Sequence, residues 1–385
     1  MVTDYVVFFL LVMAATFFLP EVLRKSHMPH LTLLILAGML LGPFGFKTIP
    51  VNDSIHFIAM FGLLYMMFLV GTGVDMRQLR KADGKSIMVA TLNFVIPLLT
   101  GTYLGIYIGL GTIPAMILGT IFASSSVSIM MPFLERHKLL SGEMGKSIVV
   151  TTVFEDIASL ILFAVLLQSA VGVSKLSLWA YLAVFAAFLL SVFWLLPKAE
   201  AKFLKWEHFG KDPEDREVRF VFFTLLVVAF ISEYIGLPAM IGAFIAGVAL
   251  AGVLKHEQVI AKMHAIGYGF LIPVFMFYLG MRTDLRLISS GADMGVLLLI
   301  VLTLVISKAG SGALGAELIG LPRKKALGVG IATIPQMTST LAIAMIASTF
   351  GVFNDALLTN IVALAIVTSL LAPLMLKALY HWKEL

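Results

Sequence analysis

Long, continuous apolar runs separated by short charged segments dominate the chain from one end to the other. A helix that crosses the hydrocarbon core of a bilayer needs about 20 mostly apolar residues. Measured against that length, the pattern predicts about thirteen helices. They cover 4–23, 30–46, 54–74, 86–108, 112–134, 145–170, 176–197, 217–235, 237–254, 266–282, 292–316, 324–349 and 354–380. Strands are not expected, because the apolar runs do not alternate with polar positions. A transmembrane barrel would need a polar residue at every second position. The expected fold is therefore an all-α polytopic membrane protein, with the segment before Leu19 read as a retained first span rather than a signal peptide.

The polar segments give this pattern a direction. With the N-terminus placed outside, 22 of the 27 Lys and Arg residues fall on the cytoplasmic side, four fall outside, and Lys308 lies within a span. Such a bias follows the positive-inside rule, and a miscounted span would spoil it. The longest polar stretch, Pro197 to Arg219, divides the chain. Six spans precede a linking seventh at about 176–197, and six follow it. The two groups, about 4–170 and 217–380, thus enter the membrane from opposite sides, which is the arithmetic of inverted repeats. The fifth span of each is interrupted by small polar residues. These are Ser124, Ser125, Ser126 and Ser128 with Pro132 in the first, and Pro335, Gln336, Thr338, Ser339 and Thr340 in the second. Matched interruptions of this kind point to an ion site at mid-membrane.

Composition narrows the classes further. Of 385 residues, 60% are hydrophobic and 13% charged, against about 45–50% apolar and 25% charged in a soluble domain. The net charge of +5 does not indicate nucleic acid, because the basic residues sit in short loops without interleaved aromatics. The absence of cysteine excludes a disulfide scaffold, thiolate metal sites and iron–sulfur chemistry. Gly310, Gly312 and Gly315 satisfy a dinucleotide-binding spacing, but they follow no strand and sit inside a span, so close helix packing is the expected role.

Three ionisable residues are out of place in spans: Glu155, Asp156 and Lys308. On insertion scales each costs about 2.5–3.5 kcal/mol at a helix centre, so their presence argues for a function. Glu155 lies roughly 15 Å deep in the sixth span and Lys308 roughly 12 Å deep in the eleventh, from the same side. Neighbours on a helix point about 100° apart, so Glu155 and Asp156 cannot share one partner. The economical arrangement pairs one carboxylate with Lys308 and leaves the other to a water-filled cavity. Carboxylate oxygens suit hard cations such as Na⁺, and hydroxyls or freed carbonyls can complete the shell. Burial penalises the charged form of any ionisable group, so groups at this depth can exchange protons near neutral pH. One site that holds either a cation or protons is sufficient for antiport.

These residues sit in a wider resemblance. Ser124-Ser125-Ser126-Val127, Leu134-Glu135-Arg136, Met144-Gly145-Lys146 and Phe154-Glu155-Asp156-Ile157-Ala158 are similar to segments of the NapA-like and Kef-like branch of the monovalent cation:proton antiporters. So are Gly38-Met39-Leu40-Leu41-Gly42-Pro43 and Phe68-Leu69-Val70-Gly71 upstream. Downstream, Ile241 to Gly247 and Phe275 to Met281 resemble later signatures, in the same order. The resemblance implies a homodimer, a dimerisation domain, and a six-helix core with crossed, unwound helices. It places Asp156 on the ion-binding aspartate and Glu155 on its variable neighbour, which is Asp in NapA-like and Gln in Kef-like members. Lys308 falls on the core basic residue, and Ser124 to Ser126 on the first unwound span. Glu155 departs from the NapA-like pattern by one methylene.

The expectation is thus one transmembrane transporter domain without a soluble regulatory domain, not an enzyme, lodged in the plasma membrane with a cytoplasmic C-terminus. Asp156, Glu155, Ser124, Ser125 and Ser126 are expected to bind Na⁺ (or Li⁺ or K⁺) and H⁺, with Na⁺ at Asp156. Lys308 compensates charge, and Gln336 and Thr338 serve from the second interruption. The alternative is a Kef-like, electroneutral K⁺ system with a separate soluble partner. No cofactor, nucleotide or nucleic acid is expected, and the partners are the lipid bilayer and a second copy of the chain.

Overall fold

A computed structural model describes residues 2–23, 28–74, 82–126, 130–131, 134–135, 139, 142–172, 176–204, 213–252, 257–288 and 291–380. Among these residues the chain is helical, with no strand. The helices are α1 Val2–Val22, α2 His30–Leu41, α3 Asp53–Thr72, α4 Gly84–Tyr107, α5 Thr112–Ala123, α6 Gly142–Val171, α7 Leu178–Leu204 and α8 Pro213–Tyr234. They continue with α9 Ala239–Ala251, α10 Glu257–Ile266, α11 Ile272–Met281, α12 Gly291–Leu318, α13 Arg323–Ala332, α14 Thr338–Thr349 and α15 Asp355–Tyr380. A π-turn, Gly267–Leu271, joins α10 to α11, and a 3₁₀ turn, Leu285–Ile288, precedes α12.

Among the described residues, eight helical segments are long and apolar enough to cross a membrane. The chain is a multi-pass membrane protein, and large side chains such as Phe17, Trp179, Leu190 and Phe230 are exposed on its surface. The difference from the thirteen expected spans has local causes. Helices α2, α5, α9 and α14 run only 12 or 13 residues, short of the hydrocarbon thickness at 1.5 Å per residue. Helix α2 stops at Leu41, where the Gly42-Pro43 turn begins, rather than at residue 46. The expected span 324–349 is two helices, α13 and α14. Pro335 has no N–H and disfavours helical backbone at Ile334, so 333–337 is not helical. Helix α8 carries Glu217 and Arg219 near its start and Glu233 near its end, and these charges keep it outside the long apolar set.

Two compact units form, and each takes helices from both halves of the sequence. Unit 1 comprises residues 1–18, 34–76 and 167–281, and unit 2 comprises 19–33, 77–166 and 282–385. Within unit 1, glycines set the helix contacts. A Cβ on Gly38 of α2 would lie 1.9 Å from the Phe277 carbonyl oxygen of α11, and one on Gly280 would lie 2.0 Å from that of Ile35. Gly71 of α3 and Gly247 of α9 meet in the same way, with Cβ positions 2.2 Å from the Phe244 and Phe68 oxygens. Small residues let backbones approach where lipid supplies no hydrophobic drive. Four resemblance segments upstream and downstream of the charged residues therefore contain packing contacts.

In unit 2, α12 packs on α4 and α13 through the same device. Gly312 meets Gly330, Gly315 meets Val89, and Gly310 meets nothing within 4 Å. Asp83 caps α4 by accepting from Ser86 N at 3.0 Å, and it pairs with Lys146 of α6 at 3.1 Å. Unit 2 also holds every residue proposed for the site.

Candidate functional site

Helix α5 ends at Ala123 because three serines follow. Serine side chains compete for nearby backbone groups, and Ser124 Oγ donates to Ile121 O at 2.9 Å while its own backbone turns extended. The second break, 333–337, faces the first. Ser126 N donates to Pro335 O at 2.8 Å, and Gln336 Nε2 donates to Ser124 O at 2.7 Å. Ser124 Oγ further contacts Thr340 Oγ1 at 2.9 Å, and Thr340 Oγ1 donates to Gln336 Oε1. Backbone groups freed by one interruption, Ser124 O, Ser126 N and Pro335 O, are thus satisfied by the other, as buried polar groups require. Ser128 and Pro132, also expected in the first interruption, lie outside the described residues.

The three charged side chains converge beside these breaks. Lys308 of α12 and Glu155 of α6 are fully buried, with Nζ 2.9 Å from Oε1. Neither Glu155 oxygen makes a well-formed hydrogen bond among the described residues, so the contact is an ion pair. Lys308 instead donates to the Ala123 carbonyl at 2.7 Å and to the Asn93 carbonyl at 3.3 Å. Ala123 is the last residue of α5, where unsatisfied carbonyls make a helix end negative. Asp156 is only partly buried, and its Oδ1 accepts from Ser339 Oγ at 2.6 Å. Ser339 stands in the first turn of α14, at the positive end of that helix. An ammonium at one helix C-terminus and a carboxylate at another's N-terminus match the broken helices electrostatically.

Charge counting then shows what the cluster can do. With both carboxyls ionised, Glu155, Asp156 and Lys308 together carry one net negative charge. A single positive charge, a monovalent cation or a proton, balances it. The hydroxyl that reaches the less buried carboxylate, Ser339 Oγ, comes from the first turn after the second break.

The structure joins Ser124 to Gln336 and gathers the three charged residues beside that junction, with the hydroxyls divided between two places. Thr338 faces Ser126, with Oγ1 and Oγ 3.5 Å apart, and Ser339 rather than Thr338 reaches Asp156. The buried Ser125 hydroxyl has no well-formed hydrogen bond among the described residues and stands near the Glu155 carboxyl. Asn93 was not expected. Its Nδ2 donates to Thr333 Oγ1 at 2.8 Å and its Oδ1 accepts from Ser311 Oγ at 2.7 Å, tying α4 to α12 and to the second break. A lone asparagine amid the apolar run 86–108 was the available signal.

Known proteins carry this chain's pattern over nearly its whole length. The family described as sodium/hydrogen exchanger, transmembrane, matches residues 8–382. The probable Na(+)/H(+) antiporter 3 of Methanocaldococcus jannaschii is 30% identical over 98% of this chain and 96% of its own length. The Na(+)/H(+) antiporter NhaS5 of Synechocystis sp. is 28% identical over 95% of this chain, which spans about half (53%) of that longer relative. Among solved structures, the sodium proton antiporter MjNhaP1 of Methanocaldococcus jannaschii shares the fold, with a TM-score of 0.74 at 16% identity over 98% of this chain and 96% of that one. With its helical breaks, its buried charges and a family match spanning nearly every residue, the chain belongs to the transmembrane sodium/hydrogen exchanger family.

Proposed function

We propose that the chain exchanges Na⁺, or another small monovalent cation, for protons by alternating access. The observation that carries this reading is the charge imbalance of the buried cluster, two carboxylates to one ammonium, set where two helices are interrupted. Glu155 is held by Lys308, so Asp156 is the residue left to take a cation or a proton. The names of the relatives at 30% and 28% identity support the same exchange. Ser339 would supply an oxygen to a dehydrated ion at Asp156, and the hydroxyls of Ser125, Ser126 and Thr338 on the two breaks are the candidates to complete its shell. Gln336 and Ser124 hold the two breaks in register.

A cation that draws Glu155 away from Lys308 leaves the ammonium without its countercharge, a costly state for a buried charge. Release of the Lys308 proton relieves it, so two protons exchange for one cation and transport moves charge. The distribution of Lys and Arg favours an external N-terminus, and the resemblance favours a homodimer in the plasma membrane. The direct test reconstitutes the protein in proteoliposomes with an imposed pH gradient and adds Na⁺, Li⁺ or K⁺ in turn. Cation-dependent collapse of the gradient is expected, with Na⁺ effective. A gradient untouched by all three cations would sink the proposal.

A further inference from the structure

Helix α6 carries a second polar pattern outside the cluster. Glu143, Ser147, Thr151 and Glu155 follow one another at four-residue spacing. They share one face of the helix, each about 6 Å further along its axis than the last. Glu143 is exposed at the start of the helix, Ser147 and Thr151 are buried at 1% and 0%, and Glu155 lies in the cluster.

Hydroxyls inside apolar helices ordinarily bond to a carbonyl one turn back. Thr100, Thr102 and Thr120 do so with Ile96, Leu98 and Met116, and Thr152 of α6 does so with Val149. Ser147 and Thr151 do not. Neither hydroxyl has a hydrogen-bond partner among the described residues. Native structures leave buried polar groups unpaired only where water, an ion or a function accounts for them. The geometry fits water. Successive side chains on this face start about 5–6 Å apart, too far for a direct bond but spanned by one water making two bonds of about 2.8 Å.

We propose that Ser147 and Thr151 hold a file of single waters inside unit 2, from the Glu143 end of α6 to the Glu155 carboxyl, and that protons reach the site along it. The proton half of this inference rests on the antiport reading. A one-water file passes protons from oxygen to oxygen, whereas an alkali cation would have to shed its hydration shell against two lone hydroxyls. The cation therefore approaches Asp156 by another face.

The chain has no native cysteine, which makes thiol labelling clean. Ser147→Cys and Thr151→Cys are expected to react with a small methanethiosulfonate ethylammonium reagent roughly tenfold faster than Ile148→Cys and Val150→Cys, since thiol reactivity follows access to water. Ile148 and Val150 are equally buried on other faces of α6. Rates equal to those controls overturn the water file. In proteoliposomes, Ser147→Ala with Thr151→Val is expected to lower the maximal exchange rate about tenfold or more at unchanged cation KM, while Thr151→Ser keeps the rate. An unchanged maximal rate, or a change confined to KM, overturns the proton role. If the double variant does not fold, the labelling still decides the file. Wild-type vesicles that exchange no cation for protons would overturn the antiport reading and the proton role, leaving the labelling result to stand by itself.

Discussion

Lys308 ties three elements of unit 2 together. Its ammonium joins the α5 terminus, α4 and Glu155 in one place. Removing one member of a buried ion pair strands the other, at a cost of about 3–5 kcal/mol. Lys308→Met should therefore unfold at a markedly lower temperature in detergent, and adding Glu155→Gln should recover most of the loss. Failure of the second change to help would mean that packing, not charge, holds the site. Asp156 behaves differently, because it is partly exposed and accepts one bond from Ser339. Asp156→Asn keeps an acceptor oxygen for Ser339 and removes the charge that a cation would balance. Exchange should vanish while the melting temperature stays close to that of the native protein; near-normal exchange would remove Asp156 from its assigned role. At the surface, the bonds from Ser86, aided by Lys146, hold the Asp83 carboxyl below the usual carboxylate range. A lowered folded-state value means stability that is full above the unfolded value near 4 and is lost as pH falls further. Asp83→Ala should melt earlier than the native chain at pH 7, and the gap should be narrower at about pH 3 and keep shrinking as the pH falls further. A gap of equal size at both pH values would show that the cap does not act through its charge.

At the scale of elements, contacts between helices divide the glycines into two kinds. Gly38→Ala would drive a methyl into the Phe277 carbonyl, and Gly71→Ala into that of Phe244. Overpacking of this sort costs about 1–3 kcal/mol and more when backbone must move. Gly310→Ala meets nothing within 4 Å and removes a helix-weakening glycine, so it should be neutral or stabilising by up to about 1 kcal/mol. Fluorescence-detected gel filtration after heating orders the three variants, and a Gly310→Ala less stable than Gly38→Ala would contradict the packing account. Much of this level was legible beforehand. Continuous apolar runs located the helices, the serine cluster marked the first break, and Pro335 marked the second. Helix phase was not legible. A helix apolar on all sides presents no amphipathic stripe, so its sequence does not say which face meets which neighbour. For that reason Ser339 was not separated from Thr338, and Asn93 was passed over. The π-turn at 267–271 and the end of α2 at Leu41 likewise depend on local backbone geometry that apolar runs do not encode.

At the scale of the whole molecule, the sequence halves and the compact units do not coincide, because each unit draws helices from both halves. Glu155, Asp156 and Lys308, distant in sequence, nonetheless fall in one unit, so the charge that transport would carry resides in a single body. Its sum decides the electrical character of exchange. If Lys308 keeps its proton throughout, the cluster moves with the same charge whether it holds one cation or one proton, and transport is electroneutral. If the ammonium gives up its proton once a cation has drawn Glu155 away, two protons return for each cation, and every cycle shifts one charge. The ion pair at 2.9 Å, with both partners at zero exposure, favours the second scheme. An unpaired charge at that depth is costly, and release of a proton is the nearest relief. The longer side chain of Glu155 opposes it, since one more methylene lets the carboxylate follow the ammonium. The two schemes separate at the reversal point. At a fixed pH gradient, the Na⁺ gradient at which net flux stops should move when the membrane potential is clamped from zero to inside-negative. Lys308→Gln, provided it folds, should retain any remaining flux but lose that voltage dependence. A reversal point that ignores voltage in the native protein would establish one-for-one exchange and leave Asp156 as the sole proton carrier.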